Sequence, residues 1–522
     1  MARSHGENVA INAGAGSVLL MVNYFVGFFV RTLLIKMLGS QYAGISALFA
    51  DILNMLSLAE LGLSSAITFA LYKPIREGDD RRIAALMHFY KKAYRMIAAF
   101  VFTAGLVLMP FLHLLVKGAP DIQENLRLIF MLYVVNNAAS YLLAYKQTLL
   151  IASEKRYLIT NTGVWFTLLR TLLECLVLWL TRNFVLFLLV SLADSLLRNL
   201  VISRRADRLY PAMRAYPDVR LEKEETRKLL MDVSALALYK ICQVVLNSTD
   251  SMVISAVPAL GVVIVGYLSN YRMIYNTINA ALDQFYNAFI PSLGAMATGA
   301  DDERQYRVFQ TTNFLSFWAL CFACTSLFCL SVPFVQNIWL RDKQFGMPMD
   351  ITAVLTLNFF TSAMMRPTNA FRNSNGLFVQ GRFRPLLMAV INIVGDIALV
   401  KPLGVFGVLL STSIARLTTQ TWYDPWLLYR KVFDRPVRSY YIQYITYLSL
   451  TVLSCAVTYG LCRLTLVIPH MVPRFLAMMV LCVVVPNALV IVIYRKTEAY
   501  RDVIARFKQV ATRLTKRLGR SA

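Results

Sequence analysis

Within SNYRMIYNTINAALDQFYNAF, Arg272, Asn276, Asn279, Asp283 and Tyr286 follow one another at steps of four, three, four and three residues. A period of 3.6 puts all five on one face of a helix. Such a face offers a polar anion hydrogen bonds and a guanidinium, with a carboxylate to balance the charge. A second stripe, Lys240, Gln243, Asn247 and Asp250, lies in the apolar run before it. Asn23, Gly27 and Arg31 line the first run of the chain, and Asn137, Ser140 and Gln147 the fourth. Asp51, Asn54 and Glu60 sit in the second run on less regular spacing. Isolated Asn and Ser residues are accounted for by hydrogen bonds between helices. Whole stripes carrying unlike charges on several helices fit a water-filled cavity better.

Basic residues recur inside runs that are otherwise apolar enough to cross a membrane: Arg31, Lys146, Arg170, Arg198, Lys240, Arg272, Arg366 and Arg416. Each would cost about 2.5–3.5 kcal/mol at a bilayer centre, so together they require a protein-lined or aqueous interior. Arg170 with Glu174 and Arg198 with Asp194 stand one helical turn apart and can neutralise each other. Lys146 and Arg366 lie toward span ends, where they are expected to snorkel. Arg31, Lys240, Arg272 and Arg416 remain as anion-binding candidates, with Asn276 and Asn279 beside Arg272. A guanidinium fork suits phosphate oxygens, which accept two parallel hydrogen bonds. Asp250, Asp283, Glu60, Asp51 and Asp396 are expected to balance this charge or to carry a coupling cation, H+ or Na+. No catalytic group, metal site or other cofactor is expected. Cys321-x-x-Cys324 lacks the four ligands that zinc needs, and reads as small apolar residues packed in a helix.

The elements that must hold these residues are membrane helices. The chain has 522 residues, 57% of them hydrophobic, and a mean hydropathy of +0.55. Fourteen apolar runs of ~20 residues, each enough to cross the hydrocarbon as a helix, extend from 14–37 to 474–494. The eleventh, 385–400, is short, and the seventh, 229–257, is interrupted by polar residues. The expected fold class is therefore an all-α polytopic membrane protein with about 14 transmembrane helices. No cleavable signal peptide is evident, because the first run is too long and no small-residue cleavage site follows it. The net charge of +24 does not indicate nucleic-acid binding. Most of the 53 Lys and Arg fall in alternate loops, such as 73–82, 204–228 and 429–438. That bias places those loops and both termini in the cytoplasm and the protein in the cell membrane.

The chain also repeats. Leu38-Gly39-x4-Gly44 returns as Leu260-Gly261-x4-Gly266, and Asp79-Asp80 as Asp301-Asp302 at the same offset. Lys155-Arg156-Tyr157 has a counterpart in Gly381-Arg382-Phe383. An offset of six spans keeps the orientation, so the halves are expected to be parallel repeats. They would comprise 1–210 (spans 1–6) and 211–430 (spans 7–12), with the substrate path between them. Residues 431–494 add spans 13 and 14. In 495–522, Val503, Phe507, Val510, Leu514 and Leu518 recur at helical spacing among basic residues, which reads as an amphipathic cytoplasmic tail facing membrane lipids.

Three segments carry a family resemblance: LGSQYAGISALFADILNMLSLAELGLSSA (38–66), STDSMVIS (248–255) with GYLSNYRMI (266–274), and NGLFVQGRFRPLL (375–387) running into KPLGVFGVLLSTSIARL (401–417). Over roughly residues 10–435 the chain resembles the Wzx-type polysaccharide flippases of the multidrug/oligosaccharidyl-lipid/polysaccharide exporter superfamily. The resemblance implies two six-helix bundles, two additional C-terminal helices and alternating access. Its implied cargo is an undecaprenyl-diphosphate-linked oligosaccharide moved from the inner to the outer leaflet, ahead of a polysaccharide polymerase machinery. The family's cationic cavity corresponds here to Arg31, Lys240, Arg272 and Arg416.

Two transporters of the same superfamily are rival readings: a lipid II flippase, and a multidrug antiporter, whose usually cationic substrates fit a basic interior poorly. A membrane glycosyltransferase or polymerase commonly needs a sizeable outer loop. The longest here, about 336–350, is too small for a domain, so the chain reads as a non-enzyme.

Overall fold

The computed structural model describes residues 5–60, 63–117, 122–211, 215–217, 219–297, 302–375, 377, 380–381 and 383–505, and among these there are helices and no strands. The helices are α1 (His5–Leu38), α2 (Ser40–Leu56), α3 (Leu63–Glu77), α4 (Asp80–Leu108), α5 (Leu126–Ala152), α6 (Arg156–Thr181), α7 (Phe184–Leu209) and α8 (Lys223–Ser255). They continue as α9 (Gly261–Ala297), α10 (Asp302–Pro333), α11 (Met349–Ala363), α12 (Arg366–Ser374), α13 (Arg384–Thr418), α14 (Gln420–Leu428), α15 (Arg438–Leu464) and α16 (Met471–Tyr494). Two compact units form, residues 1–269 and 270–522, with the division inside α9.

Every one of the fourteen apolar runs is helical. By length and composition, nine helical stretches among the described residues can cross a membrane. One of them, Arg384–Phe433, contains two crossings, because α13 reverses at Gly404, whose φ of 58° and ψ of −138° are non-helical. Antiparallel packing of its two arms follows: Asn392 reaches Ser411 and Thr412, and Gly407 lies against Leu399. The seventh and eighth runs, α8 and α9, carry the polar stripes.

Two of the runs broken within their length bear on the site. The second (44–72) leaves the α-helix at Leu56, forms a 3-10 turn over Ser57–Glu60, and resumes as α3. The tenth (351–372) stops at Ala363 and restarts at Arg366. Pro367 lacks the N–H that a continuous helix would need there, and is tolerated at a helix start for the same reason.

The outward faces match hydrocarbon. Leu169, Leu172, Leu176 and Leu180 on α6 are exposed, as are Leu476, Val480, Val483 and Val492 on α16. Such a surface would aggregate in water, and in lipid it needs no cover. The chain is a multi-pass membrane protein. Inside the first unit, Tyr90, Tyr94, Tyr141 and Tyr145 pack with the buried faces of α3, α4 and α5. Inside the second, Phe309, Phe371, Tyr429, Phe433 and Tyr440 form an aromatic cluster. Phe317 stacks on Tyr447 with ring centroids 4.0 Å apart.

The sequence repeat corresponds to repeated local geometry. Gly39, directly before α2, and Gly261, the first residue of α9, both take positive φ (103° and 64°), a conformation that favours glycine. Asp79 caps α4 by accepting from the Arg82 N–H at 2.9 Å, while its counterpart Asp301 lies outside the described residues. The expected amphipathic tail falls mostly on 506–522, likewise outside them.

Candidate functional site

In the first unit, Arg31 ends the polar face of α1. Its guanidinium donates to the Ala43 carbonyl at 3.1 Å, to the Gly266 carbonyl at 3.3 Å and to the Ser269 hydroxyl. The first turn of α2 and the second and third turns of α9 are thereby held by one cation. They can approach this closely because each presents a glycine: a Cβ on Gly44 would lie 2.1 Å from the Val262 carbonyl oxygen. Asn23, two turns earlier on α1, accepts from Thr167 on α6 at 3.2 Å.

Glu60 lies at the break in the second run. Tyr94 donates its hydroxyl to the Glu60 carboxylate, Tyr90 donates to the Tyr94 oxygen at 2.8 Å, and Tyr90 also meets Thr148 at 3.1 Å. A carboxylate at an interrupted helix, fed by a chain of hydroxyls, is equipped to hold a cation or pass a proton. Asp51 is half-buried on α2, and Asp250 is buried near the end of α8 beside the buried Ser248, Thr249 and Ser251. The Lys240, Gln243 and Asn247 side chains lie outside the described residues.

In the second unit, the α9 stripe is joined by a residue that the sequence pattern set aside. Arg366, at the start of α12, donates to Asp283 at 2.8 Å and to the Asn279 side-chain oxygen at 2.6 Å. Its guanidinium carbon lies 5.4 Å from the centre of the Tyr286 ring. Arg366 therefore does not snorkel: the helix break turns it onto α9, and an acid and an amide oxygen hold it. The Asp283 side chain keeps 49% of its surface exposed, so the pair faces open space on one side. Arg272 is half-buried and Asn276 exposed on the same helix.

Arg416 donates to the Asn358 carbonyl at 2.9 Å, and Asn358 is fixed in turn by Leu409 and Ser413. Asp396 is fully buried between the arms of α13. Its Oδ1 accepts from Ser411 and, at 3.2 Å, from Asn392, whose amide also contacts Thr412 at 3.2 Å. This is a buried carboxylate that receives a hydroxyl and an amide N–H between the two arms.

Other basic groups are accounted for structurally. Arg170 pairs with Glu174 at 2.6 Å, and Arg198 lies 4.0 Å from Asp194, as their spacing predicts. Lys146 pairs with Asp207 at 2.7 Å instead of snorkelling. Asp424, fully buried, is held by Arg372 at 2.8 Å and Arg384 at 2.7 Å. The tyrosines around Glu60 and the partners of Asp396 were missed in the sequence. The i, i+4 spacings of Tyr90 with Tyr94 and Asn392 with Asp396 were the available signals.

The helix arrangement defines a class: it is the fold of the transporters and flippases of the MOP superfamily. The chain is similar to the lipid II flippase MurJ in an inward closed conformation, with TM-score 0.63 and 14% identity over 92% of this chain and 98% of that one. It is also similar to a multidrug resistance MATE family transporter in an inward-facing conformation (TM-score 0.53, 13% identity, 78% of this chain and 95% of that one). A MOP superfamily transporter from Pyrococcus furiosus gives 0.51 and 13% over 81% and 96% of the two chains. No family model and no curated protein matches the sequence.

Proposed function

We propose that this protein is a flippase that carries an undecaprenyl-diphosphate-linked oligosaccharide from the inner to the outer leaflet by alternating access. The observation that carries the reading is the Arg366–Asp283–Asn279 group. It is a guanidinium inside the spans with its acidic partner half exposed, beside a helix that also bears Arg272 and Asn276. A diphosphate can take the place of the carboxylate on such a fork, and the amide-rich stripe suits sugar hydroxyls. Arg31 and Arg416 add cationic positions, and Lys240 is kept as a candidate from its place on the sequence stripe. A cationic interior disfavours cationic drugs as cargo, and likeness to a lipid II flippase over 92% of the chain supports a lipid-linked substrate. Lipid II itself is the second reading, favoured by that same likeness.

Coupling is assigned to the buried Asp396 carboxylate with the hydroxyls of Ser411 and Thr412, which the Asn392 amide N–H groups hold in place. Hard oxygen donors with one carboxylate suit a small monovalent cation, and Asp396 alone would serve for a proton. Asp250, Asp283, Glu60 and Asp51 are the remaining acidic candidates.

The test is reconstitution. Proteoliposomes containing the protein should move an undecaprenyl-diphosphate-linked oligosaccharide between leaflets, and Arg366→Ala should abolish this while leaving the protein level unchanged. Transport of lipid II in preference to the oligosaccharide selects the second reading. Transport of organic cations, unaffected by Arg366→Ala, overturns both.

A further inference from the structure

Cys329 on α10, Cys462 on α15 and Cys482 on α16 are distant in sequence, yet their Sγ atoms all lie within 4.8 Å of one another. All three are buried free thiols, and Met478, one turn before Cys482, belongs to the same buried cluster. Three helices thus deliver three thiols to one point, with a methionine packed in the same cluster. A cavity of about 450 Å³ opens beside them, and Met347, Met349 and Met471 line it together with Cys329, Cys462 and Met478. No histidine or carboxylate joins the three thiols among the described residues.

We propose that this cluster is a binding site for a soft monovalent metal ion, Cu(I). Thiolate and thioether sulfur select Cu(I) over hard cations. Structural zinc takes four ligands from Cys, His and carboxylates, and this group offers three. A three-sulfur set suits the low coordination number of Cu(I), and Met478 in the same cluster could add a thioether. The thioethers along the cavity give the ion a path of exchangeable soft ligands. Binding displaces thiol protons to solvent. Cu(I) on three thiolates leaves two negative charges, which Arg463 and Arg474, also lining the cavity, offset. The occupied site would pin α15 and α16 to α10 and stabilise the fold by mass action.

The experiment uses the full chain in detergent, reduced and anaerobic, with Cu(I) supplied as its bicinchoninate complex. The wild type should withdraw one Cu(I) per chain, and its thermal midpoint should rise on loading. Cys329→Ser, Cys462→Ser and Cys482→Ser should each weaken retention about tenfold or more and lose the thermal shift. Cys175→Ser should retain both. If a serine variant fails to fold, Met478→Leu, which keeps the shape and removes the thioether, should show weaker retention. Uptake by the serine variants equal to wild type overturns the proposal. So does a disulfide within the cluster of protein purified without reductant, or absence of uptake by the wild type.

Discussion

Gly44 and Gly266 occupy equivalent places in the two copies of the sequence repeat, and they touch. A Cβ on Gly266 would come within 3.2 Å of the Gly44 Cα, 3.0 Å of its nitrogen and 2.5 Å of the Ser40 carbonyl oxygen. Arg31 bonds to the carbonyls of Ala43 and Gly266 around the same contact. In the orientation expected from the positive-inside bias, this crossing would lie at the outer end of α2 and α9, where the proposed carrier would be shut when open inward.

Alanine at either glycine should force this contact apart at a cost of about 1–3 kcal/mol, the usual range for overpacking. Gly266→Ala is expected to lower export while the protein remains inserted. Cysteines placed at Ser40 and Val262 in a cysteine-free background should cross-link and stop export, and reductant should restore it. Export that continues with complete cross-linking would show that the crossing never opens.

Arg31→Ala is expected to abolish polymer export at normal membrane levels, and Arg31→Lys to restore it only in part. Lysine offers a point charge where the guanidinium reaches two carbonyls and a hydroxyl at once. Export assays with immunoblotting of membranes decide this, and normal export by the alanine variant would make Arg31 dispensable.

The Arg366–Asp283 pair should yield a coupling energy of about 1 kcal/mol in a double-mutant cycle. Asp283 is half exposed, and water screens the pair toward the surface value. Transport should respond differently: Arg366→Ala eliminates it, whereas Asp283→Asn leaves substrate binding intact. Equal losses in both would assign the pair to structure alone.

Asp396→Asn should uncouple transport from the driving ion without preventing lipid-linked substrate binding. Proteoliposomes under separately imposed pH, sodium and voltage gradients provide the measurement. A wild type indifferent to both ion gradients removes the coupling role.

The orientation can be read by impermeant thiol labelling. Cysteine at position 214 or 510 should be protected from outside, and cysteine at 344 should be labelled. External labelling at 214 would invert the topology.

The spans were legible because hydrocarbon selects composition over some twenty residues, and every run carrying that signal is helical. The α9 stripe was legible for the same reason, since a helix face is a periodic property of one segment. Contacts between segments were not. Arg366 looks like a snorkelling residue because it stands near a span end, and nothing local reveals that its partner Asp283 lies 83 positions earlier. The break that aims it was written in Pro367, whose effect on an apolar run is easily overlooked. Glu60 presents the same difficulty: its irregular spacing with Asp51 and Asn54 reflects a helix that stops at Leu56. The pairing of Lys146 with Asp207 on α7 likewise needed the packed structure.

The reversal at Gly404 bears on how the protein is made. The arm of α13 before Gly404 (384–403) is about 30 Å long at 1.5 Å per residue and the arm after it (405–418) about 21 Å, and no loop joins them. With no loop to separate them, the two arms are expected to enter the membrane as a pair already folded back. The backbone at 404 lies in a region open essentially to glycine. A side chain there would act during biosynthesis, and quality-control proteolysis would reveal it before any transport assay did.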